Sequence, residues 1–206
     1  MGIRSLSTSS IKTGVRRNRM WDQNISFGSD FYQIATTTVG STAVSSVEFT
    51  NIPQTYTHLQ IRGIARTSRP TYATDNIGLQ FNSDTSTSKY ATHRLYANGD
   101  AGSQSPVAYT NLGAILAGIS STTSASSNIF GTTIIDILDY KNTNKYKTTR
   151  HISGCDVNAG SGTIYGQVDI SSGVWLDTSA ITSIKLYGYN GTFQQDSSFA
   201  LYGVLA

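Results

Sequence analysis

From Phe31 to Leu205, apolar residues recur at every second position in short runs, and Gly, Asn, Ser and Pro cut the runs apart. That period belongs to strands with one buried face. The clearest run is His58–Thr67. Leu59, Ile61, Gly63 and Ala65 share one parity, while His58, Gln60, Arg62 and Arg66 share the other. It predicts an antiparallel strand with one wet side. Phe31–Val39 and Ala43–Thr50 read as the two strands before it, with a turn at Gly40-Ser41 and a break at Asn51–Gln54. Later strands are expected over Asn76–Phe81, Tyr90–Tyr96, Val107–Ile119, Asn128–Tyr140, Lys145–Cys155, Thr163–Ile170, Gly173–Asp177, Ile181–Tyr189 and Ser198–Leu205. Asn128–Tyr140 is the most apolar and is expected to be central. The last strand is expected to be central too. The low-complexity stretch Ser120–Ser127 reads as an exposed loop.

Short strands at regular spacing, with no helical periodicity between them, predict an all-β fold: an antiparallel β-sandwich. Large loops between the later strands favour a jelly roll over an immunoglobulin-like arrangement. Residues 31–206 form the expected sandwich, and residues 1–30 an extended arm.

Charge sharpens that division. Arg4, Lys12, Arg16, Arg17 and Arg19 put five positive charges in the first twenty residues, with no acid among them; the rest of the chain holds ten basic and twelve acidic side chains. Met20 and Trp21 follow the basic cluster directly. An exposed Trp is costly in a free tail, so one expectation is an arm that docks on a partner, Trp21 as anchor and the arginines on acidic groups. A terminus folded back on its own body is the other. Five charges and one aromatic make a poor case for nucleic acid.

The single Cys155 excludes an intrachain disulfide framework. No apolar run is long enough to cross a membrane as a helix, and the N-terminus lacks the apolar core of a secretion signal. His58, His93 and His151 lack zinc-ligand spacing, so no metal or other cofactor is expected. His58 and His151 are expected to point outward from their strands. Asp136 interrupts an apolar run and calls for a partner such as Lys147 or Arg150. No nucleophile elbow, phosphate loop or recognisable carboxylate pair appears, so no enzymatic activity is expected. Tyr72, Tyr90, Tyr96, Tyr109, Tyr140, Tyr146 and Tyr165 fall near strand ends or loops, where they suit a sugar- or protein-binding surface.

Four stretches, SSIKTGVRRNRMWDQ, FYQIATTTVGSTAVSSVEFTNIPQTYTHLQIRGIART, IIDILDYKNTNKYKTTR and SSFALYGV, together resemble small virion structural proteins of tailed bacteriophages, in particular phages of cyanobacteria and other marine bacteria. The resemblance spans nearly the whole chain but is compositional and carries no catalytic residues. It implies a head decoration (cement) protein or a part of a tail fibre or knob. It also implies a β-rich, often jelly-roll body, usually a homotrimer, attached through a short terminal segment. A lone compact domain without a fibre shaft favours the head, with the major capsid protein as expected partner. Other virion proteins or a host glycan are the alternatives. The expected location is the virion, assembled in the host cytoplasm.

Overall fold

The computed structural model describes residues 30–99, 104–161 and 164–205. Apart from Asp30, the expected arm lies outside them. The described residues form twelve strands and no helix: β1 (Phe31–Thr38), β2 (Ser46–Phe49), β3 (His58–Thr67), β4 (Thr74–Phe81), β5 (Tyr90–Asn98), β6 (Gln104–Leu112), β7 (Ile115–Thr122), β8 (Gly131–Leu138), β9 (Lys147–Ser161), β10 (Ile164–Trp175), β11 (Ile184–Gly188) and β12 (Ser198–Val204). The protein is all-β. Its strands make one large, open, mostly antiparallel ladder.

The ladder folds into a large and a small layer. The large layer runs β1-β12-β3-β8-β9-β10-β5-β6, and the small one β2-β11-β4-β7. They meet where β3 pairs in parallel with β7, through Arg66–Ser121 and Thr67–Thr122. β7 lies across β8, β9 and β10. Between the layers sits the core, with Ile61, Ile77, Leu79, Ile115, Ile135 and Phe199 fully buried. Burying each such side chain contributes about 1.5–3 kcal/mol.

β3 has the expected bounds, with Leu59, Ile61 and Ala65 buried. β12 is central, between β1 and β3. Other boundaries differ. Val107–Ile119 is two strands: β6 at the edge of the large layer and β7 in the small one, with Gly113-Ala114 at the crossing. The two strands expected over Thr163–Ile170 and Gly173–Asp177 are replaced by one, β10, over Ile164–Trp175. Ser120–Thr122 is fully buried strand rather than exposed loop. Each hydroxyl there donates to a backbone carbonyl: Ser120 to Asp75, Ser121 to Ile129, Thr122 to Tyr72. Bonded hydroxyls can be buried at little cost.

Among the described residues, β7 pairs with β4 along most of its length and with β3 at Ser121 and Thr122, and the rest of that second edge is buried under the large layer. Polar side chains of that layer meet the edge. Leu116 N donates to Thr92 Oγ1 at 3.1 Å, and Thr133 Oγ1 donates to Ala117 O at 3.0 Å. Gly118, at φ 150°, lets the layers close. A Cβ on it would sit 2.4 Å from Thr133 Oγ1. Gly118→Ala is expected to destabilise the fold by about 2 kcal/mol or more, measured as a lower urea midpoint at unchanged m-value.

Candidate functional site

Where the two layers part, the start of β4 faces the inner side of β5, β6 and β10 across a cleft of about 190 Å³. Tyr72, Tyr96, Tyr109 and Tyr165 line it. Strand alternation explains the convergence: Arg94, Tyr96 and Asn98 share the inward parity of β5. The Arg69 guanidinium lies 4.2 Å from the centre of the Tyr72 ring, and Arg94 lies 5.4 Å from that of Tyr96. Asn76 and Gln167 add amide groups to the wall.

A chain of buried polar groups runs away from this cleft beneath β7. Arg94 Nε donates to Asp169 Oδ2 at 2.6 Å, and Arg94 Nη1 to Asn76 Oδ1 at 2.9 Å. Ser171 Oγ donates to Asp169 Oδ1 at 2.8 Å. With its proton committed there, the Ser171 oxygen accepts from His151 Nδ1 at 2.7 Å, which leaves Nε2 to accept from Thr149 Oγ1 at 2.7 Å. Serine, histidine and aspartate are therefore present but in the wrong order for nucleophilic catalysis. The aspartate holds the serine, and the histidine donates to that hydroxyl instead of taking its proton.

Burial, and next the charge of Arg94, push the His151 imidazole down to about 3; Asp136 opposes them. The second carboxylate near the cleft, Asp75, is fully engaged. It accepts from Thr67 Oγ1 at 3.1 Å, Asn76 N at 2.9 Å and Asn190 Nδ2 at 2.9 Å. Aromatic faces, hydroxyls and amides with both carboxylates occupied suit reversible binding of a polyhydroxylated ring. General acid–base hydrolysis would need two carboxyl groups at liberty.

Four of the seven tyrosines meet in this cleft. Tyr90 and Tyr140 are instead buried core, the first donating to Asp84 O at 3.0 Å and the second to Pro53 O. Tyr146 is exposed and lines none of the cleft. His151 points inward, against expectation, because Arg150 and Ile152 take the outer parity of β9. Asp136 has Arg150 as its partner, 2.8 Å away, and Gln60 Nε2 donates to it at 2.8 Å. Lys147 is buried elsewhere, its Nζ donating to the carbonyls of Asn142, Lys145 and Thr178. The arm residues from Arg4 to Trp21 lie outside the described residues. No group of three or more potential metal ligands occurs among the described residues. Arg69, Asp75, Arg94 and Asp169 were not singled out by the sequence. For Asp75, Arg94 and Asp169 the signal in the sequence is a charge on the inward parity of a strand; Arg69 lies in the loop between β3 and β4 and has none.

No protein-family model and no curated protein matches the chain.

Two outcomes follow for the buried network. Asp169→Asn leaves Arg94 buried without its counter-charge and is expected to cost about 3–5 kcal/mol, read from urea unfolding. His151 is neutral when folded, whereas the unfolded chain binds its proton near pH 6.5. Its contribution is thus complete above about pH 6.5 and is lost as the pH falls towards about 3. The urea midpoint is expected to drop between pH 6.5 and 4.5, and His151→Gln to flatten that slope.

Proposed function

We propose that this chain is a non-enzymatic structural protein of a phage virion, a decoration or cement protein with a jelly-roll body that binds and stabilises the head shell. The observation that carries this reading is the strand order. If β5–β6 and β9–β10 are taken as hairpins inserted into the chain, β1-β12-β3-β8 over β2-β11-β4-β7 is the order of two interleaved Greek keys. Jelly rolls of this kind build viral capsid domains.

The arm is the attachment element in this reading. Among the described residues β1 pairs only with β12, at the rim of the large layer, so Phe31 enters the body at an edge. Arg4, Lys12, Arg16, Arg17 and Arg19 would meet acidic groups on a capsid subunit, with Met20 and Trp21 as apolar anchor. Several arms on one oligomer would hold far more tightly than one.

The tyrosine-lined cleft favours a second reading, a tail-fibre knob or surface adhesin that binds host glycans. Lectins share the jelly-roll architecture.

Deleting residues 1–28 is expected to leave a folded body that no longer sediments with purified heads. Full occupancy by the truncated body would eliminate the arm as the attachment element. For the second reading, Tyr109→Ala and Tyr165→Ala are each expected to weaken binding on a glycan array about tenfold, the equivalent of one aromatic stacking contact. Absence of any glycan signal from the intact chain would rule that reading out.

A further inference from the structure

The large layer switches the side on which its apolar residues lie. On the inner face, a row of paired residues begins Leu201–Ile61–Ile135 and continues His151–Ser171–Arg94. On the outer face, the neighbouring row begins Ala200–Arg62 and continues Ile134–Ile152–Ile170–Leu95–Pro106. Ile152, Ile170 and Leu95 are 55%, 58% and 57% exposed, and Val168 in the next row is 61% exposed. An isolated exposed apolar residue is ordinary. A continuous aliphatic strip across five strands marks a surface that is normally covered.

We propose that a second copy of this chain covers it, packed face to face about a two-fold axis that runs parallel to the strands between β9 and β10. Such an axis sets positions on one side of it against their counterparts on the other. Ile152 meets Ile170 of the second copy, and Ile134 meets Leu95. Val168, the most exposed of the strip, meets Gly154, which has no side chain to obstruct it. Asp136 meets His93, a carboxylate against an imidazole. A shallow hollow of about 590 Å³, bounded by Leu95, Pro106, Ala108 and Ile170, lies where Ile134 of the second copy arrives. The face thus complements itself in shape and polarity, as a two-fold interface must.

Area and charge favour the same occupant. Six strands, β3, β8, β9, β10, β5 and β6, face counterparts across this axis; spaced about 4.8 Å apart and about 25 Å long, they make a face of roughly 700 Å², close to the roughly 800 Å² that each partner contributes to a standard stable interface. The strip carries little charge for a dissimilar partner to read, because Asp136 is already paired with Arg150. The two-fold pair departs from the trimer implied by the phage resemblance and does not depend on either reading of function.

The test uses the full chain. Light scattering after gel filtration is expected to give twice the mass of the 22.1 kDa chain, or an even multiple of it. The double variant Ile152→Thr/Ile170→Thr keeps β-branched residues on the strands and is expected to keep its circular dichroism spectrum and cooperative unfolding, while its dimer dissociation constant rises at least tenfold. As a geometric check, Ile134→Cys and Leu95→Cys variants are expected to form a disulfide when mixed and to form none alone. The native Cys155 stays silent, being buried with its thiol pushed up to about 11. A chain that stays monomeric at high concentration overturns the proposal. So does a trimer, an oligomer untouched by the double variant, or a mixture that does not cross-link.

Discussion

A strand edge cannot be buried without hydrogen bonds, and the buried edge of β7 is the constraint on which the unusual half of this protein depends. β4 satisfies one edge of β7. β3 takes the end of the other edge, at Ser121 and Thr122, and the rest lies under β8, β9 and β10, where side chains meet its backbone groups. Thr92 and Thr133 do so directly. Once the inward positions of β5, β9 and β10 are polar, alternation leaves the outward positions for the aliphatic residues of the same strands. The outer strip of Ile134, Ile152, Ile170 and Leu95 is the reverse side of that arrangement.

The buried ion pair fits the same logic. Arg94 and Asp169 sit on paired strands, one register step apart, since Asp169 stands opposite Tyr96 and Arg94 opposite Ser171. Replacing such a pair by apolar residues is often neutral or stabilising, so its value here is positional. It holds Asn76 on the small layer to β5 and β10 on the large one, and that junction forms the floor of the tyrosine-lined cleft. His151 joins the network through Ser171 and stays neutral, which leaves one matched pair of charges along the chain from Arg94 to Thr149.

Where one rule acts alone, the sequence was legible. β3 alternates over an apolar core, and its bounds and inward residues follow from period two. Val107–Ile119 misled because an edge strand and a buried strand adjoin, and periodicity does not report that the chain crosses between layers at Gly113. Ser120–Thr122 looked like loop because composition does not reveal that three hydroxyls have carbonyl partners. The outward expectation for His151 rests on polar residues facing water, which fails wherever a second strand edge must be satisfied. The tyrosines were recognised as a group, but their division between core and cleft depends on tertiary pairing. Arg94 and Asp169 are 75 residues apart, and nothing local links them.

The position of β12 has a further consequence, in time rather than in space. β12 lies between β1 and β3, and β11 lies between β2 and β4. Neither layer can be completed until the last of these strands has left the ribosome. Until then β1 and β2 have no neighbour in their final sheets, and β3 and β4 each present an open edge. Non-local pairing of this kind folds slowly and exposes unpaired edges meanwhile. Glu48 on β2 and Arg62 on β3 put charges beside those edges, a feature that discourages pairing between neighbouring chains while the strands wait.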